Sequence, residues 1–143
     1  MRWVTRERPK TDRVACPWLI RRFIDPEAEI VFMPADRVLE AAADSASRSF
    51  DAPGAEFTHR DGLCTFEVLI AEFGLTGDRA LTRLARIVHA ADIAADIDTD
   101  PAGPGLLAIG IGSLHVEPDD HRLLERESFV YDALYEWCRI EIG

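Results

Sequence analysis

Residues 12–25 read DRVACPWLIRRFID, and the rest of the chain is best understood outward from them. The stretch carries Val14, Trp18, Leu19, Ile20, Phe23 and Ile24 as a helical apolar run, yet Arg13, Arg21 and Arg22 share it. An ordinary amphipathic helix segregates its charges onto a wet face, so some of these guanidinium groups are expected at buried or half-buried surface. A guanidinium held there needs a carboxylate, an oxyanion or a set of carbonyls as partner. Arg13, Arg21 and Arg22 are therefore candidate anion-binding residues. The alternative is bracing by nearby acids such as Asp25, Glu27 and Glu29.

Trp3–Thr5 and the run EIVFM at Glu29–Met33 flank this helix as short strands. Pro17 suits a first helical turn, which would start the helix near Cys16; alternatively Asp12 caps an earlier start and Pro17 kinks it. Asp25-Pro26 ends it in either case. Downstream, Asp36–Ala43 reads as a small helix, Asp44–Ser49 as a loop, and Glu56–Thr58 as a short strand before a turn at Asp61-Gly62. Cys64–Phe73 is a buried helix closed by Gly74, and Asp78 opens a long one reaching about Asp96. DTDPAGPG is a loop, Leu106–Ile111 is helix or buried strand, and Pro118-Asp119 opens a final helix that is the best candidate for a homodimer surface. Helices outweigh strands: the expectation is α+β, a mainly helical single domain over 1–143 with a small sheet of short strands.

The 143 residues, 48% hydrophobic, suffice for one domain with a real core. The net charge of -10 argues against direct nucleic-acid binding and against anionic membrane surfaces. Lys10 is the only lysine, so any anion site must use arginine. Cys16, Cys64 and Cys138 are too few and too scattered for a disulfide scaffold, and neither a signal peptide nor a long apolar window is visible. A cytoplasmic protein is expected.

Within the helix from Asp78, residues Leu81, Leu84, Val88, Ala91 and Ala95 form one apolar arc at about 100° per residue, and Asp92 falls inside it. His89 lies three residues earlier at its edge. Glu67 shares a column with Cys64 and Ala71 on the preceding helix, and His59 sits upstream. His59, Glu67, His89 and Asp92 thus form a candidate ligand set for a divalent metal ion, Zn, Mn or Fe, with open positions for water or substrate. A neutral hydrogen-bonded pair is the other reading of His89 and Asp92. Cys16, beside Arg13 near a helix start, is a candidate reactive thiol; its other reading is a buried packing residue.

Four segments in order, KTDRVACPWLIRRFID, FDAPGAEFTHRDGLCTFEVLI, IVHAAD and YDALYEWCR, together resemble the chromate-resistance family of the ChrB C-terminal type. The resemblance implies a role in bacterial chromate resistance or its regulation, in a family whose longer members look like regulators of an efflux operon or carry a rhodanese-like domain. Its motifs fall on Arg13, Cys16, Trp18, Arg21, Arg22, His59, Glu67, His89 and Asp92. The function expected is a metal-binding module that senses or handles an oxyanion such as chromate, held by guanidinium forks. The alternative is a metal-dependent enzyme of hydrolytic or sulfur/redox chemistry, with Glu67 or Asp92 as general base.

Overall fold

The computed structural model describes residues 1–143. Three strands, β1 (Arg2–Arg6), β2 (Glu29–Met33) and β3 (Arg48–Ser49), form a parallel sheet in the order β2-β1-β3. Register pairs Val4 with Val31 on one side and with Ser49 on the other. As the central strand, β1 buries Trp3, Val4 and Thr5 on both faces, which suits its unbroken β-forming run. Trp3 joins the main core, while Val4 packs with Val38, Ala42, Ala52 and Ala55 in a smaller one.

The crossover from β1 to β2 is α1 (Asp12–Leu19), continued by a π-helical turn over Ile20–Ile24. Of the two readings of Pro17, the earlier start holds. Pro17 has no N–H to give the Arg13 carbonyl, and three residues later the ladder widens until the Asp25 N–H reaches the Ile20 carbonyl at 2.6 Å. The Tyr131 hydroxyl, fully buried on the last helix, donates to the Thr11 carbonyl at 3.0 Å and pins the start of α1.

The remaining helices are α2 (Val38–Asp44), α3 (Thr65–Glu72), α4 (Arg79–Asp92), α5 (Gly103–Val116) and α6 (Asp120–Ile142). Several boundaries differ from the sequence reading. Part of the expected 44–49 loop is β3, and the expected strand at 56–58 is a single bridge between Phe57 and Phe50. The long helix stops at Asp92, and a 3-10 turn over Ala94–Thr99 takes the chain back across its end. Leu106–Ile111 is helical, and α5 begins inside the expected DTDPAGPG loop. Its glycines permit close packing: a Cβ on Gly103 would lie 2.8 Å from the Ala90 Cβ, and one on Gly110 would lie 3.0 Å from Thr11 Oγ1. No helix is long and apolar enough to cross a membrane. On α6, Phe129, Trp137 and Ile140 are exposed.

Candidate functional site

The site forms where α1, α3 and the end of α4 meet. Asp12 is its deepest member, 1% exposed. Its Oδ2 and Oδ1 accept the Thr65 and Phe66 backbone N–H groups, each at 2.9 Å. These are the first two N–H groups of α3, which have no partner within their own helix, so a carboxylate from α1 completes the turn and meets the positive end of its dipole. The Cys64 N–H is met by Glu67 Oε1 at 3.0 Å in a capping box.

Asp51 approaches from the loop after β3. Its Oδ1 accepts the Thr65 hydroxyl at 2.9 Å, and its Oδ2 lies 3.2 Å from Arg13 Nε and 3.5 Å from Arg6 Nη2. Thr11 and Asp51 both hold left-handed backbone, with φ of 51° and 50°; such strain persists only where surrounding contacts fix it. Asp92 arrives from the last residue of α4. His59 closes the group from above: its Nε2 is 3.2 Å from Asp12, 3.4 Å from Asp51 and 3.1 Å from Asp92.

Hydrogen bonds to Asp12 and Asp51 push His59 up to about 10, so it is an imidazolium at neutral pH. Burial, followed by the neighbouring charges of Asp12 and Asp51, pushes Asp92 up to about 7. Burial raises Asp12 as well. Burial also acts to raise Asp51, but bonds from His59 and Thr65 and the charges of Arg13 and Arg6 outweigh it and hold that carboxyl low. Three carboxyl groups, two guanidinium groups and one imidazolium thus form one cluster, buried at Asp12 and Asp51 and reaching the surface at His59, whose side chain is 44% exposed.

A second group adjoins the first through the same two helices. His89, one turn before Asp92, has Nδ1 2.5 Å from Glu67 Oε1 and Nε2 2.6 Å from Asp96 Oδ2. Burial acts to lower this histidine, but Asp96 and Glu67 overcome it and raise it. Cys64 lies beside Glu67 and His89.

The four residues expected to share one metal therefore divide between two groups, His59 with Asp92 and Glu67 with His89. The three arginines also part company. Arg13 reaches the carboxylates, whereas Arg21 and Arg22 are exposed along a groove with Trp18, Ser128 and Asp132. Arg21 donates to the Ala28 carbonyl at 3.3 Å, and Arg22 pairs with Asp132 at 2.8 Å and lies over the Trp18 and Tyr135 rings. Cys16 is wholly buried and its Sγ points at Asp12 Oδ1, 3.5 Å away. Burial and then the Asp12 charge push its thiol well up, which agrees with the buried packing reading rather than the reactive one, because the carboxylate and not the Arg13 guanidinium is its neighbour.

Asp12, Asp51 and Asp96 were not among the site residues expected from sequence. The sequence pattern marks Asp12 only as a helix cap, Asp51 only as part of a connection, and Asp96 only as the end of the long helix. The available signal was a lone acid between apolar neighbours, in Phe50-Asp51-Ala52 above all.

Residues 3–138 match the family model described as ChrB, C-terminal domain. Over 133 residues, 93% of this chain, the sequence is 39% identical to Protein ChrB of Cupriavidus metallidurans, of whose length the chain spans 39%. No solved structure matches. With nearly its whole length matched, the chain belongs to the ChrB C-terminal domain family.

Proposed function

We propose that this chain is a metal-dependent module that senses or handles an oxyanion, serving chromate resistance or its regulation. The observation that carries this reading is the convergence of Asp12, Asp51 and Asp92 on one nitrogen of His59 within 3.4 Å. Carboxylates gathered so closely need positive charge among them. His59, Asp12 and Asp92 offer imidazole and carboxylate donors of the kind that hold Zn, Mn or Fe. Such an ion would supply a Lewis acid to a bound oxyanion.

The charge count supports an anion as the ligand. With His59 protonated and all three carboxyl groups ionised, the carboxylates balance Arg6, Arg13 and the imidazolium, and the group is neutral. With a divalent ion in place of that proton, the same residues carry net positive charge, which a tetrahedral dianion such as chromate requires. Arg13, its Nε 3.2 Å from Asp51 and its side chain 18% exposed, is the guanidinium that would orient the anion. Arg21 and Arg22 take no part at this site.

One observation favours a second reading, a metal-dependent enzyme. Asp92, held at about 7 with its side chain 16% exposed beside His59, has the property expected of a general base near neutral pH.

The test is metal stoichiometry and oxyanion affinity in solution. Metal-stripped protein titrated with Mn, Fe(II) or Zn is expected to take up an equivalent that His59→Gln and Asp92→Asn lose and Cys64→Ser keeps. Chromate binding by calorimetry should then require that metal and weaken in Arg13→Gln. No uptake sensitive to His59 overturns the proposal.

A further inference from the structure

His89 is engaged on both sides, and the two sides differ in chemistry. On the Nδ1 side, a ring nitrogen, a Glu67 oxygen and the Cys64 sulfur all lie within 4.8 Å of one another. On the Nε2 side stands Asp96 alone, 2.6 Å away and outside that group. Sulfur, carboxylate and imidazole are the donors of zinc sites. A histidine that ligates through one nitrogen characteristically gives its other N–H to a carboxylate, which fixes the tautomer and the ring plane.

We propose that Cys64, Glu67 and His89 Nδ1 form a second metal site, for zinc or another thiophilic divalent ion, with Asp96 as the residue that orients His89 from behind. This inference stands apart from the proposed function: none of these side chains belongs to the Asp12–His59–Asp92 group.

The scaffold is rigid where such a site needs rigidity. Cys64 and Glu67 are locked to each other by the reciprocal capping box at the start of α3. His89 sits in the last turn of α4. Asp96 reaches it only because α4 stops at Asp92 and the 3-10 turn doubles back, so the helix end that departs from the sequence pattern is the device that supplies the orienting carboxylate. Ligand atoms around tetrahedral zinc are about 3.3–3.8 Å apart, given its bond lengths. The Nδ1–Oε1 hydrogen bond of 2.5 Å must therefore give way and open by about 1 Å as the ion takes the place of its proton, while the sulfur, within 4.8 Å of both atoms, closes in by side-chain rotation. Glu67 and His89 are 19% and 18% exposed while Cys64 is buried, which leaves a solvent-facing position for an exogenous ligand. The competing arrangement is an imidazolium clamped between Glu67 and Asp96 beside an inert thiol.

Cobalt(II) separates the two, because only this group contains sulfur. Metal-stripped protein titrated with cobalt is expected to develop a thiolate-to-metal charge-transfer band that saturates once one equivalent is bound at this site and is bleached by zinc. The band should persist in His59→Gln and Cys16→Ser and vanish in Cys64→Ser and His89→Gln, with folding of both variants checked by circular dichroism. Asp96→Asn should keep the band and bind about 10–100-fold more weakly. Absence of the band in the unmodified chain, its survival in Cys64→Ser or His89→Gln, its loss in Cys16→Ser, or undiminished affinity in Asp96→Asn would each overturn the proposal. A failed first site shows itself differently, as no His59-sensitive uptake with the sulfur band intact.

Discussion

Replacing Asp12 by Ala should destabilise the chain far more than its size suggests. The carboxylate is 1% exposed and holds two backbone N–H groups of α3, each at 2.9 Å, as well as the His59 ring. Each charge-assisted bond is worth about 1.5–3 kcal/mol, and each N–H left dry costs a further share, offset by relief of the buried charge. The net expectation is a loss of about 3–5 kcal/mol, the range for removing one partner from a buried ionic group. With a urea slope of about 2 kcal/mol/M, the unfolding midpoint of the metal-free protein should fall by about 1.5–2.5 M. Asp12→Asn keeps one acceptor oxygen, so it should lose about half as much. A midpoint for Asp12→Ala within about 0.5 M of the unmodified chain would show that α3 does not depend on that carboxylate.

The pH dependence follows from two raised groups. His59 goes from 6.5 to about 10 and Asp92 from 3.8 to about 7 on folding, so the folded chain binds more protons than the unfolded one between these values. Stability of the metal-free protein should therefore fall as pH rises, with the Asp92 contribution lost through about 7 and the His59 contribution lost through about 10; denaturation midpoints of His59→Gln should flatten the upper part of that decline. Glu127 is buried with both carboxylate oxygens unpartnered, and burial pushes it up to about 7. Glu127→Gln should stabilise the chain by ~1–3 kcal/mol above neutral pH and not in acid, as read by thermal melts. Gly103→Ala should cost ~1–3 kcal/mol by overpacking against Ala90, whereas the same change at Gly105, which has open space, should be neutral or slightly stabilising.

Much of the architecture was legible because it rests on local pattern. β1, β2 and the crossover helix follow from apolar runs between breakers, and α6 from its cap and long periodic stripe. The ambiguity at Leu106–Ile111 had a physical source: α5 is apolar on nearly every side, with glycines where α4 and Thr11 crowd it, so periodicity could not distinguish helix from strand. The site was legible only in part. Asp92 and His89 were marked by their phase on α4, and Glu67 by its place on an apolar helix. How they combine depends on chain segments far apart in sequence: Asp12 comes from α1, Asp51 and His59 from the connection between β3 and α3, and Asp92 from α4, and no local spacing relates them. The arginines show the same limit. Arg22 lies nine residues after Arg13, about half a turn around a helix, so one wall could not present both. The resemblance of motifs marked Arg13 and Arg22 alike, while only the fold separates the residue facing the carboxylates from the one facing Asp132.

On the proposed reading, the carboxylates around His59 form a cation site. Anomalous diffraction from crystals grown with manganese or zinc addresses it most directly. A peak is expected within bonding distance of His59 Nε2 and of the Asp12 and Asp92 carboxylates, with Arg13 facing the ion's open side. Metal-replete crystals showing no density there, and His59 still bridging the three aspartates, would contradict that reading.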